Sequence, residues 1–208
     1  MISNAEAANS SLSITSKIMN SYESWQKLIE SIVNKCVKYN LDGFNIDFEN
    51  MREDDKDMYS RFIIELTPRL KELGLVTSVD VTAPDGGETW SLCFDRNVIG
   101  NVSDYIVFMA YDEYGTSSTK PGTTAGYDWV KLNLEKFLKT EEIKSEKIIL
   151  AVPFYTRVWT TNSEGKIISR NTVAMKDIEK VLPNDVEKKW DNDLKQNYAE
   201  YKDGDNKK

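Results

Sequence analysis

Asn45, Asp47 and Glu49 alternate with Phe44, Ile46 and Phe48 in a run that reads as one extended strand. Successive side chains of a strand point to opposite faces, so the amide and both carboxylates share one face and the apolar groups the other. A row of polar groups on a partly buried face is costly unless each finds a partner. Acid–base chemistry supplies a reason for it. At strand rise, carboxylates two residues apart lie roughly 6–7 Å from each other. An anionic Asp47 disfavours ionisation of Glu49, and partial burial acts in the same direction. A glutamic acid that keeps its proton near neutral pH can serve as general acid to a leaving oxygen.

The rest of the composition narrows the chemistry. The 208 residues include no histidine, which removes Ser-His-Asp and Cys-His hydrolysis, histidine zinc sites and imidazole proton shuttles. The two cysteines, Cys36 and Cys93, lie in apolar surroundings and read as buried free thiols, with no disulfide framework. A net charge of −7, from 34 acidic and 27 basic residues, argues against nucleic acid as a partner and for a neutral ligand. Asn45, Asp47 and Glu49 could be read as oxygen ligands for a hard cation, but ligands from one strand diverge too little to surround an ion. We therefore expect no metal and no cofactor. The first residues show neither the basic nor the apolar region of a signal peptide, and no stretch approaches the length of a membrane span.

Residues 1–20 are Ser/Asn-rich and read as a loop or tail. From Tyr22 to Tyr39, Trp25, Leu28, Ile29, Ile32, Val33 and Cys36 follow helical spacing with one apolar stripe. The chemical strand follows, over Leu41 to Glu49. A second helix carries Met58, Phe62, Ile63, Leu66, Leu70 and Leu73 inward; Pro68 is expected to kink or break it, and Gly74 suits its C-terminal cap. The pattern repeats with strands over Leu75–Ala83, Tyr105–Tyr111 and Lys147–Tyr155, and a helix over Trp129–Leu138. Strands alternating with helices predict an α/β fold with a parallel sheet, and four such strands are half of a (β/α)8 barrel. After Trp159 the chain turns polar. A short helix near Ala174–Leu182 and a hairpin around Trp190 and Tyr198–Tyr201 are expected there, so the domains read as 1–20, 21–159 and 160–208.

Asp42-Gly43-Phe44-Asn45-Ile46-Asp47-Phe48-Glu49 resembles the DGxDxDxE strand of family 18 glycoside hydrolases, the chitinase-like enzymes. Met109-Ala110-Tyr111-Asp112 is similar to the family's MxYD strand end, and Pro153-Phe154-Tyr155-Thr156-Arg157 to its next strand end. The order of motifs extends the resemblance over roughly residues 20–205, with bacterial members acting on spore cortex or cell wall the most similar. It implies a partial TIM (β/α)8 barrel, about strands 4 to 7, with the start of a small α+β insertion after strand 7. It also implies hydrolysis of β-1,4-linked N-acetylglucosamine polymers, chitin or peptidoglycan, in which the substrate's own 2-acetamido group is the nucleophile. By that resemblance Glu49 is the catalytic acid and then base. Asp47 orients the acetamido N–H, and Tyr111 hydrogen-bonds the acetamido oxygen. Asn45 departs from the family pattern, standing where an Asp is usual. A shifted pH profile is the expected result, because Asn can still donate to or accept from Asp47.

Other residues have two readings each. Asp80 lines the cleft or is a satisfied structural carboxylate. Asp112 and Arg157 contact sugar hydroxyls or form a local ion pair, and Tyr155, Trp90 and Trp159 stack on sugar rings or belong to the core. The rival to an enzyme is a chitinase-like lectin, against which the presence of Glu49 argues. An open four-stranded sheet leaves two edges, which favours self-association and weak or absent activity of the chain on its own. The parent protein is expected to be secreted, cell-wall or spore-associated.

Overall fold

The computed structural model describes residues 1–4 and 11–208. They form two compact units, Met1–Met109 with Asn133–Leu150, and Ala110–Leu132 with Ala151–Lys208.

The first unit is built on a parallel sheet. Its strands are β1 (Ile2–Ser3), β2 (Gly43–Asp47), β3 (Val76–Val81), β4 (Tyr105–Met109) and β5 (Ile148–Ala151), in spatial order β1-β2-β3-β4-β5. Helices α1 (Ser11–Met19), α2 (Tyr22–Tyr39), α3 (Lys56–Lys71), α4 (Arg96–Val102) and α5 (Tyr127–Lys139) connect them. This is the expected α/β arrangement, with one strand more than expected. Residues 1–20 are not a loop: β1 pairs in parallel with β2, Ile2 beside Ile46 and Ser3 beside Asp47, and α1 follows. The part of that expected loop over 5–10 lies outside the described residues.

Side-chain periodicity explains the packing. In α2, Trp25, Ile29, Ile32 and Cys36 are buried along one stripe, Ser21 accepts from the amide of Ser24 at its start, and Asn40 closes it in the left-handed region. Phe44, Ile46 and Phe48 face the helices, and Phe48 stacks on Tyr59 and Phe62 of α3 with ring centroids 6.0 and 6.3 Å away. Phe108 of β4 meets Phe137 of α5 at 4.7 Å. Pro68 does not break α3, which runs on to Lys71. The carbonyl left without a donor belongs to Ile64, an exposed position where water can bond it. Gly43 marks a close approach of β2 to β3: a Cβ there would lie 2.4 Å from the Val76 carbonyl oxygen.

The second unit contains a four-stranded sheet in order β10-β11-β6-β7, from β6 (Tyr155–Thr161), β7 (Ile167–Ala174), β10 (Lys202–Asp203) and β11 (Asn206–Lys207). The neighbours are antiparallel. A short helix α6 (Ile178–Val181) and the hairpin of β8 (Lys189–Asp191) and β9 (Gln196–Tyr198) match the expected helix and hairpin. Two expectations change. The run Lys147–Tyr155 is not one strand: β5 ends at Ala151, and Tyr155 opens β6 beyond Pro153. The polar subdomain also does not begin at residue 160, because β6 and residues 110–132 belong to the same unit.

Candidate active site

In the first unit, the polar face of β2 meets the polar face of β3. Asn45, Asp47 and Glu49 are half-buried on one side while Phe44, Ile46 and Phe48 are buried on the other, as the alternation predicts. The Asn45 amide nitrogen donates to Ser78 Oγ at 3.0 Å and to Asp80 Oδ1 at 2.7 Å. Both of its donors are then spent, so Asn45 cannot donate to Asp47. Asp80 is held within the protein by this bond. Burial raises its pKa above the ordinary carboxylate value, the Asn45 bond opposes that rise, and the Asp47 charge adds to it.

Glu49 sits just past the end of β2, where ladder bonds no longer fix the backbone. Asn4 replaces them: its side-chain nitrogen donates to the Glu49 carbonyl at 2.7 Å and its oxygen accepts from the Glu49 amide at 2.9 Å. The same nitrogen donates to Thr15 Oγ1 of α1 at 3.0 Å. Behind the sheet, the Tyr59 hydroxyl is fully buried and its pKa is raised, first by burial and then by the charges of Asp80, Cys93 and Asp47.

The segment following β3 carries Trp90, and Arg96 organises it. This guanidinium is 4 % exposed and donates to the carbonyls of Thr82, Ser91 and Ala83 at 3.1, 3.1 and 3.2 Å. It also reaches the hydroxyls of Thr82 and Ser91 at 3.3 and 3.2 Å. Trp90 itself is half-buried, and its carbonyl accepts from the Thr82 hydroxyl.

In the second unit, four of the expected residues, Tyr111, Asp112, Tyr155 and Arg157, form one cluster. Asp112 pairs with Arg157 and accepts from the Tyr155 hydroxyl at 2.7 Å. Tyr111 meets the Tyr155 ring edge-to-face at 6.0 Å. Arg157 also donates to the Tyr114 carbonyl at 3.0 Å. Burial, and then the Asp112 bond and charge, push the Tyr155 pKa well up, so this hydroxyl is a donor and not a base. Asp112 adopts a φ of 62°, in the left-handed region that Asp tolerates better than most residues. The Trp159 indole donates to the Gly122 carbonyl at 2.9 Å. The local ion-pair reading of Asp112 and Arg157 is therefore what the structure shows, and Tyr155 and Trp159 are each tied by a polar atom.

Sequence reasoning missed Asn4, Ser78 and Arg96. For Arg96 a signal existed: a lone cation in the apolar context Cys93-Phe94…Val98-Ile99. Among the described residues, no group of three or more Cys, Asp or Glu side chains is gathered to hold a metal, and no helix is long and apolar enough to cross a membrane.

The pattern of the family described as Glycosyl hydrolases family 18 matches residues 8–206. The chain belongs to glycosyl hydrolase family 18. It is 30% identical over 149 residues to the uncharacterized glycosylase YvbX of Bacillus subtilis, covering 70% of this chain and 42% of that protein. It is 27% identical to the cortical fragment-lytic enzyme of the same organism, over 65% of this chain and 31% of that one. The chain thus spans less than half the length of these curated relatives. Its fold matches that of the Bacillus megaterium spore cortex-lytic enzyme SleL with a TM-score of 0.75 and 25% identity, over 91% of this chain and 44% of that one. A chitinase from Chromobacterium violaceum shares the fold with a TM-score of 0.78 and 23% identity, over 89% and 58% of the two chains. The parallel sheet is accordingly part of a family 18 (β/α)8 barrel.

Proposed function

We propose that this chain carries the acid–base machinery of a glycoside hydrolase cleaving β-1,4-linked N-acetylglucosamine polymers, peptidoglycan or chitin, with retention of configuration. The observation that supports this reading is the pair of half-buried carboxylates, Asp47 at the end of β2 and Glu49 just past it, with the Glu49 backbone gripped by Asn4. Glu49 gives its proton to the glycosidic oxygen as the C1–O bond breaks, and the substrate's acetamido oxygen bonds to C1. Water then attacks C1, its proton passes to the Glu49 carboxylate, and the acetamido group is released. Asp47 orients the acetamido N–H and stabilises the positive charge that develops on it. Tyr111 donates to the acetamido oxygen. Asn45 and Asp80 of the first unit, and Asp112, Tyr155, Arg157 and Trp159 of the second, are the residues assigned to sugar binding. Cortical fragment-lytic relatives favour spore peptidoglycan as the polymer.

A (β/α)8 barrel has eight strands and five parallel ones are described here, so turnover by the chain alone is expected to be slow. Ile149 and Leu150 of β5, at the end of the strand order, are 45 and 41 % exposed, and this edge supports self-association with a second copy. The test is digestion of chitin oligomers and of spore-cortex peptidoglycan at high protein concentration, with Glu49→Gln alongside and the anomer of the first product read by NMR. Product with retained configuration, released by the wild type and lost in the variant, is expected. Equal release by both overturns the assignment of the acid. Binding by both without turnover establishes a chitinase-like lectin instead.

A further inference from the structure

Asp47 is left in an unusual position by its neighbours. Its Oδ1 is buried and has no hydrogen-bond partner among the described residues. Asn45, two residues back on the same face, has given both amide hydrogens to Ser78 and Asp80 and has none to offer. The β2–β3 register pairs Asn45 with Ser78 and Ile46 with Val79, and its next step sets Asp47 beside Asp80. Adjacent strands lie about 4.8 Å apart, and directly paired residues project from the same face. Two half-buried carboxylates thus stand side by side. If both were ionised, each would oppose the other and Asp47 Oδ1 would lack any donor.

We propose that Asp80 and Asp47 share one proton across the β2–β3 ladder, so that Asp80 is the positioning residue that holds Asp47 for its part in the reaction. The pair then carries a single negative charge. One oxygen of Asp80 accepts from Asn45, and the proton shared with Asp47 supplies the donor that the buried Oδ1 otherwise lacks. Asn45 orients Asp80 and does not itself touch the proton. The direction of the Asp80 pKa agrees: burial and the Asp47 charge raise it, while the Asn45 bond and the chain's α-amino group act against them. Two other titratable groups bear on this pair: Glu49, two residues on along the same face, and the buried Tyr59 hydroxyl of α3 behind the sheet, which keeps its proton because burial and the two carboxylates raise its pKa.

For its catalytic consequence the inference rests on the proposed hydrolase; the shared proton does not. The primary test is therefore a titration of the full chain carrying carboxyl-13C aspartate, followed by NMR. Asp80 is expected to lose its proton above the ordinary aspartate range, in a step that the Asp47 resonance reports as well. Asp47→Asn should move the Asp80 midpoint down, and Tyr59→Phe should leave it in place. An Asp80 midpoint unmoved by Asp47→Asn overturns the proposal, as does an ordinary midpoint in the wild type. In activity, Asp80→Asn should lower kcat about tenfold with KM little changed and shift the pH profile, the factor that one unit of differential protonation carries. Adding Asn45→Asp to Asp80→Asn should restore activity by returning a carboxylate to the same face. A purely structural Asp80 predicts no such rescue, because the asparagine oxygen still accepts from Asn45. If the titration behaves as expected and no turnover is found, the hydrolase reading fails and the shared proton stands.

Discussion

Asn4 and Glu49 are joined by a two-point clamp, in which one side-chain amide both donates to and accepts from the backbone of the proposed acid. The contact continues the β1–β2 pairing by one residue, using a side chain where main chain runs out. Glu49 is thereby oriented by a residue 45 positions earlier.

Asn4→Ala removes both bonds to the Glu49 backbone and the one to Thr15 Oγ1. We expect a loss of about 1–2 kcal/mol in stability and roughly a tenfold fall in kcat, since positioning of the acid carries much of its effect. Asn4→Asp keeps the acceptor and loses the donor, and should fall between the two. Urea unfolding and oligomer hydrolysis, measured together, check both.

Arg96→Met retains the apolar stem and deletes a buried charge whose bonds go to backbone carbonyls and hydroxyls around residues 82–91. The Thr82 carbonyl loses its donor, while the Ala83 and Ser91 carbonyls keep the amides of Asp85 and Phe94, so the cost is about 1–3 kcal/mol. The segment containing Trp90 should also become sensitive to limited proteolysis. A variant as stable and as resistant as the wild type would show that the guanidinium does not organise this segment.

Asp112→Ala strips the carboxylate from a guanidinium that is 5 % exposed and from the Tyr155 hydroxyl together. Breaking a buried pair on one side costs on the order of 3 kcal/mol. The double variant Asp112→Ala with Arg157→Met should recover part of that loss, because no lone charge is left buried. Thermal melts of the two single variants and the double one form the cycle that measures this.

Asp80, and Glu113, which accepts from the Gly126 amide, both have pKa values raised first of all by burial, above the ordinary carboxylate values of 3.8 and 4.5. Between those values and the raised ones the folded chain holds protons that the unfolded chain has released. Their contribution to stability is therefore complete at acid pH and declines as pH rises through the window. Asp80→Asn should remove its share of the decline. Unfolding free energy measured from about pH 4 to pH 8 in wild type and variant gives the difference, and equal slopes would contradict it.

Much of the first unit was legible because periodicity and burial coincide there. The stripe of Trp25, Ile29, Ile32 and Cys36 and the alternation of Phe44 to Glu49 each record which side of an element meets the core. The strand β1 was hidden because two residues carry no period, and its meaning lies in a partner far along the chain. The end of β5 was hidden inside a continuous apolar run, where Pro153 is the only interruption. In the second unit, β7 shows no consistent alternation of burial, so its residues left no pattern to read. Motif residues were legible as chemistry, but their bonds were not. Nothing in the order of residues says that Asn45 turns toward Asp80 and away from Asp47.

The close approach at Gly43 bears on all of this through leverage. With the Val76 carbonyl 2.4 Å from where any side chain would begin, the lower end of β2 has nowhere to retreat, and even a methyl group would act as a wedge between the two strands. The strand is stiff along its length, so a tilt begun at that fulcrum is carried, enlarged, to Asp47 and Glu49 at the far end. The accuracy of the proposed proton-bearing groups is thus set in part by a position that bears no chemistry, and what matters there is only that nothing occupies it.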